Sequence, residues 1–207
     1  MRQTEAMVRA VVFDLGQVLA SGEGIISEPA AFLDVAPDRF EELYWADRAA
    51  YDAGATDAEY WGPILSALDK PATPETIAHL AALDADLWLR MRPTAHQLLV
   101  DVRAAGRTVA ILSNAPFTID IGLLGADFAD DADFWFISAS MGVTKPNSAA
   151  YWRVTEVLDL HPSTIAFIDD RPENVAGAER IGWKAHLWQS DADSRVWLSS
   201  QGVLEPS

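Results

Sequence analysis

Four apolar runs in this chain end abruptly in polar residues able to do chemistry. Asp14 closes "AVVFD" just before a glycine turn, Ser113 and Asn114 close "TVAILSN", Asp169 and Asp170 close "TIAFIDD", and Lys145 lies in "MGVTKPN" beyond a fourth run, "DFWFISAS". Together they offer a carboxylate nucleophile, a hydroxyl and amides to hold oxygens, a cation for developing charge and further carboxylates for magnesium. That is the set phosphoryl transfer needs. Singly, each has a plainer explanation. Asp14 and "SN" suit turns, and a lone lysine before proline is usually a solvated loop residue. In "DDRPEN", Asp170 can cap a helix with Glu173 as its box partner. Capping accounts for one aspartate of the pair and not for both, and chance does not readily put all four groups in order at strand ends.

The elements that must position these groups follow from the apolar pattern. The four runs, with a weaker fifth in "KAHLW", read as strands covered on both faces, the habit of a parallel sheet. Helical spacing appears from Pro93 to Gly106, from about Ser148 to Leu158 and from Pro172 to Ile181 before Gly182. The alternation predicts a doubly wound parallel α/β sheet, whose sites lie at the carboxyl ends of its strands. Residues 21–91 break it: "FEELYWADRAAYDAG" and "AEYWGPILSALD" have helical spacing and no strand signal. This stretch is expected to form a helical cap over the carboxyl end of the sheet, entered through a flexible "GEGI" with Gly22 and Gly24. The tail after Gln189 carries little signal.

Composition narrows the function. Fifteen basic against 31 acidic residues give a formal charge of −16, which repels nucleic acid and anionic membranes. A phosphorylated substrate would therefore need local positive charge. With no cysteine, thiolate chemistry and disulfides are excluded. No apolar run approaches the roughly 20 residues that span a bilayer, and "MRQTEAMVRAVVFDLG" lacks a signal-peptide core, so a cytoplasmic location is expected.

The segments "VVFDLGQVL", "ILSN", "TKPN" and "FIDDRPENVAGAERIG" resemble, in order, the four motifs of the haloacid dehalogenase superfamily, and residues 21–91 sit where the helical type 1 cap of its first subfamily sits. The resemblance implies a Rossmann-like core of residues 1–20 and 92–207, a 21–91 cap, magnesium, and hydrolysis of a small phosphorylated molecule through an aspartyl-phosphate. It assigns Asp14 as nucleophile, Ser113 and the Asn114 amide as holders of phosphoryl oxygens, and Lys145 as charge balance on nucleophile and phosphate. Magnesium would be held by Asp14, the Gly16 carbonyl and Asp170, with Asp169 ligating directly or through water. Such a short set suits an ion that keeps several waters.

One departure matters. Most phosphatases that resemble this pattern carry an aspartate two residues after the nucleophile to protonate the leaving oxygen. Here that residue is Gly16, as in a "DLGxV" branch of the superfamily. A general acid is worth about 10² to 10⁴ in rate. The expectation is a preference for leaving groups that depart readily, such as those of sugar 1-phosphates, acyl phosphates or aryl phosphates, or else a proton handled by solvent or by the cap. Gln17 can orient a water but has no proton to give. Trp45, Tyr51, Tyr60 and Trp61 are expected mainly to pack helices, with stacking on a substrate as the alternative. Structural or surface roles are expected for His79, His96, His161 and His186, and an ion pair for Arg171. Two other readings are a non-catalytic binding module that has kept the fold and a 2-haloacid dehalogenase. The dehalogenase needs no metal and would leave the aspartate pair without a job.

Overall fold

The computed structural model describes residues 7–205, so the first six residues of the N-terminal stretch read above lie outside the described residues. The chain runs β1 (Ala10–Phe13), α1 (Ser27–Leu33), α2 (Pro37–Ala46), α3 (Arg48–Asp52), α4 (Asp57–Ala67), α5 (Pro74–Trp88) and α6 (Pro93–Ala104). It continues with β2 (Thr108–Ser113), α7 (Phe117–Leu123), β3 (Phe134–Ile137), α8 (Ser138–Met141), α9 (Ser148–Leu158), β4 (Ile165–Asp169), α10 (Pro172–Arg180), β5 (Lys184–Leu187) and α11 (Asp191–Ser200). All strand pairs are parallel and the order is β3-β2-β1-β4-β5. This is the doubly wound Rossmann-like sheet that the alternation predicts, and it needs helices on both faces.

Side chains alternate across the strands, and both faces are dry. Val11 and Phe13 of β1 join Val109, Ile111 and Ile168 in one core with Leu98, Leu99 and Leu198 from α6 and α11. Val12 points the other way, into a core with Leu112, Phe167, Tyr151, Val154 and Trp183. A period-two strand buried on both sides must be apolar at every position, which is why these strands read as unbroken runs. The register sets Phe13 level with Ile111 and Ile168, so Asp14, one residue on, emerges beside the ends of β2 and β4.

Between β1 and α6 the five helices α1–α5 form a helical insertion with an apolar core of its own, including Phe40, Tyr44, Tyr51, Tyr60, Trp61, Leu65 and Leu80. Tyr51 and Tyr60 stack at 4.2 Å, and Trp61 is wholly buried. These three aromatics pack helices, and only Trp45 remains substantially exposed. Thr56 and Glu59 close a capping box at the start of α4.

Two further helices had no signal in the residue pattern. α7 follows Asn114, and α11 occupies the tail, where Ser190 caps it by accepting from Asp193 N at 3.1 Å. Arg92–Asp191 and Arg195–Asp101 ion pairs of 2.7 and 2.6 Å bind α11 to the α6 region. The run "DFWFISAS" also ends sooner than its sequence suggests, because Ser138 already opens α8. The plainer reading of Asp170, as a helix cap, does not hold. α10 starts at Pro172 with no side-chain cap, Asp169 takes the turn amide of Arg171 at 2.9 Å, and Glu173 pairs with Arg171. Because the neighbouring carboxylate serves the turn, Asp170 is left free of it.

Trp61→Ala should cost about 3–5 kcal/mol, the usual price of a large aromatic truncated in a core, read as a lower midpoint in urea unfolding monitored by far-UV circular dichroism.

Candidate active site

β1 is the central strand, and Asp14 leaves it with its N–H still on the ladder, donating to Ile168 O at 2.9 Å. Its Oδ1 accepts from Leu15 N at 2.8 Å and lies 2.8 Å from Lys145 Nζ. The same ammonium donates to Asp169 Oδ2 and to Leu112 O, both at 2.7 Å. An ammonium has three N–H donors, and all three are used. Lys145 reaches this position because Asn114 grips its backbone from both sides: Lys145 N donates to Asn114 Oδ1 at 2.8 Å, and Asn114 Nδ2 donates to Lys145 O at 2.9 Å. The Asn114 side-chain amide is therefore committed to placing the lysine.

Asp169 is fully buried. Its Oδ1 accepts from Arg171 N and Asn174 Nδ2, and its Oδ2 accepts from Lys145 Nζ and Asn174 Nδ2. A carboxylate has about four acceptor sites, and three donors hold this one in place, Asn174 Nδ2 bridging both oxygens. Asn174 was visible within "DDRPEN" but had no signal of its own, because its partner lies five residues back across a turn. Asp170 is half-buried and makes no ion pair among the described residues. The hydroxyl of Ser113, buried at the end of β2, has no protein hydrogen-bond partner among the described residues and lines the adjoining cavity.

One carboxylate oxygen each from Asp14, Asp169 and Asp170 lies within 4.8 Å of the others. Three carboxylates thus face one ammonium. Burial, reinforced by the negative charge of Asp169 and Asp170, pushes Asp14 up to about 7 despite the opposing pull of Lys145. Burial and Asp169 likewise raise Asp170. For Lys145, Asp14 and Asp169 outweigh the opposite effect of burial and hold its value above the ordinary lysine range. Excess negative charge in a closed site is the electrostatic setting that a bound cation relieves.

Above the strand ends, a cavity of about 120 Å³ is shared by core and insertion, lined among others by Gly16, Ser113, Asn114, Arg48, Asp52 and Trp88. Trp88, from the end of α5, covers the position two beyond Asp14: a Cβ on Gly16 would sit 3.3 Å from its ring. The ring also packs on Gly22, where a Cβ would come within 2.9 Å and where φ is +67°, a region L-residues rarely enter. "GEGI" is thus a close-packed left-handed turn. Trp88 Nε1 donates to Tyr44 Oη at 2.9 Å, and Tyr44 donates to Asp84 at 2.6 Å. Arg48 Nη1 reaches Tyr44 and both Asp84 oxygens, while its Nε donates to Asp52 Oδ1 at 2.8 Å. Sequence reading missed this network; its one local signal was Arg48 and Asp52 at i,i+4.

The four histidines lie outside this site. His96 and His186 meet Asp131 and Asp193 at 2.7 and 2.6 Å, His161 bonds Ser163, and His79 packs on Phe32. Arg171 pairs with Glu173.

This fold and site define a hydrolase class. A family model for haloacid dehalogenase-like hydrolases matches residues 8–182, and the chain belongs to that family. It is 25% identical over 209 residues to phosphatase MT3486 of Mycobacterium tuberculosis (strain CDC 1551 / Oshkosh), covering 95% of this chain and 96% of that one. Among solved structures it resembles the HAD family enzyme bt-2542 of Bacteroides thetaiotaomicron in complex with magnesium and inorganic phosphate, with a TM-score of 0.66, 20% identity and coverage of 88% and 94%. It also resembles the L-2-haloacid dehalogenase of Xanthobacter autotrophicus, with a TM-score of 0.70, 22% identity and coverage of 97% and 85%.

Two outcomes follow. A carboxyl raised to about 7 favours the fold in its protonated form, so its contribution is lost as pH rises from about 4 to 7; metal-free Asp14→Asn should therefore gain stability over wild type across that interval in paired thermal melts. Gly16→Asp should lose about 1–3 kcal/mol, a typical overpacking cost, and the loss should shrink in a Trp88→Ala background, as a double-mutant cycle of urea unfolding would read.

Proposed function

We propose that this protein is a magnesium-dependent phosphatase that hydrolyses a small phosphorylated metabolite through an aspartyl-phosphate on Asp14, with residues 21–91 as a cap over a core of residues 1–20 and 92–207. The observation that carries the reading is the pairing of Lys145 with Asp14 and Asp169 beside an Asp170 that has no ion pair among the described residues. The donor set fits magnesium, a hard cation satisfied by few carboxylates and several waters. Asp14, the Gly16 carbonyl and Asp170 would hold it, and Asp169, already held by three donors, would act through water. Bound there, the ion would offset the repulsion between the nucleophile and an anionic phosphate.

The chain's own residues account for the remaining requirements. Lys145 holds Asp14 in one orientation and supplies positive charge at the nucleophile, the local rescue that a chain of charge −16 needs for an anionic substrate. The unpartnered Ser113 hydroxyl is available to a phosphoryl oxygen, and the main chain at Asn114 supplies the amide. Asp14 attacks phosphorus, the bond to the leaving oxygen breaks with its electron pair, and water then cleaves the aspartyl-phosphate to return the carboxylate and release inorganic phosphate.

The nucleophile loop offers no proton at position 16. By itself it suits leaving groups that depart readily, such as those of sugar 1-phosphates, acyl phosphates or aryl phosphates. The mycobacterial relative named a phosphatase and the magnesium and phosphate bound to the Bacteroides enzyme support this reading over a dehalogenase, as does the cluster of acids that a metal-free reaction would leave without a role. No helix among the described residues is long and apolar enough to cross a membrane. The proposed setting is cytoplasmic, with neither nucleic acid nor membrane as partner.

Phosphate release from a panel of phosphorylated metabolites should require magnesium, vanish with chelator, and fall to background in Asp14→Asn. Equal turnover by the variant would sink the assignment.

A further inference from the structure

Breaking the bond from phosphorus to a poorly acidic alcohol needs a proton, and the usual source on the nucleophile loop is replaced by Gly16 beneath the Trp88 ring. In-line displacement puts the leaving oxygen on the side of phosphorus opposite Asp14, away from the strand ends and toward the inserted helices. There the shared cavity is lined by a carboxyl group, Asp52, together with Gly16 and Ser113. Resting on the phosphatase reading, we propose that Asp52 is a catalytic residue: the proton carrier of this enzyme, supplied by the helical insertion in place of the missing acid beside the nucleophile.

Three features of the geometry support this role. Asp52 Oδ1 is held by Arg48 Nε at 2.8 Å, while Oδ2 has no protein hydrogen-bond partner among the described residues and is left for the cavity. The end of α3 is fixed to the phosphate-binding side of the core, because Ser138 Oγ donates to the Asp52 carbonyl and accepts from Ala115 N at 2.9 Å, one residue past Asn114. Arg48 is itself anchored by Asp84 and Tyr44, so it orients the carboxyl from behind.

The charges facing Asp52 are Arg48 on its own helix, Asp84 from α5 and Arg171 from the turn before α10. Burial prevails over the two arginines and lifts Asp52 to about 6, near the working range of a general acid and base at neutral pH. In the first half-reaction Asp14 bonds to phosphorus, the electron pair of the breaking bond goes to the leaving oxygen, and Asp52 gives that oxygen its proton. In the second, Asp52 takes a proton from the water that attacks phosphorus, and the bond to Asp14 breaks with its pair returning to the carboxylate. Substrate and water yield alcohol and phosphate, and Asp52 ends as it began.

The test is kcat/KM for phosphate monoesters running from alkyl to nitrophenyl leaving groups, with magnesium, for wild type, Asp52→Asn, Asp52→Glu and Asp14→Asn. Asparagine keeps the acceptor for Arg48 but has no proton to give. Asp52→Asn should lose about 10² to 10⁴ on alkyl esters, with the loss shrinking steadily as the leaving group becomes more acidic. The alkaline fall in the wild-type alkyl-ester profile should disappear in this variant, and Asp52→Glu should recover part of the rate. A uniform loss across the series, or none on alkyl esters, overturns the role of Asp52 while leaving the phosphatase reading in place. A wild type that releases no phosphate from any ester, or an Asp14→Asn as active as wild type, overturns the phosphatase reading and the assignment of Asp52 with it.

Discussion

The site is organised around one buried ammonium. Lys145 lies between Asp14 and Asp169, with its third proton on the Leu112 carbonyl. An unpaired charge at this depth would be prohibitively costly, so the lysine is buried only beside carboxylate partners, Asp169 and Asp14. The constraint extends outward. Asn114 must hold the Lys145 backbone, Asn174 must bridge the two oxygens of Asp169, and β1, β2 and β4 must be adjacent and in register for the three acceptors to meet. A sheet order with β1 in the middle satisfies this, and it also puts the excess negative charge where a phosphoryl-transfer site would use a cation.

The helical insertion bears on the same site through a different kind of contact. Its five helices have their own aromatic core, and at the end of α5 that core presents Trp88 to Gly16 and Gly22. The ring is held in place through Tyr44, which ties it to Arg48 and Asp84. Glycine at position 16 is therefore part of the fit between insertion and core, as well as the absence of an acid. The network behind the ring also orients the carboxyl of Asp52 at the cavity. The bare position at Gly16 and the placement of Asp52 thus belong to a single packing arrangement.

Much of this was legible in the residues. Strands buried on both faces must be apolar throughout, so the sheet announced itself in β1, β2 and β4, and helical spacing exposed α6, α9 and α10. α11 gave little notice because its attachment to the core rests on polar contacts of Asp191, Asp193 and Arg195 and on Trp197 and Leu198, contacts with no clear periodic signature. The motif residues Asp14, Ser113, Lys145 and Asp169 could be picked out because a parallel sheet delivers every strand's carboxyl end to one edge. Which group bonds to which could not be read, since Asn114 was as plausible a ligand for phosphate as a clamp for Lys145.

By itself, the sequence determined the class of sheet, the helical character of residues 21–91, the set of polar groups at the strand ends and the missing acid at Gly16, because periodicity and residue chemistry are local properties. The tertiary structure alone decided that three donors hold Asp169 while Asp170 has no ion pair among the described residues, that Trp88 covers Gly16, and that Arg48 and Asp52 border the same cavity as Ser113. Those facts depend on contacts between residues up to about seventy positions apart, where side-chain geometry and burial, rather than residue type, determine which hydrogen bonds form.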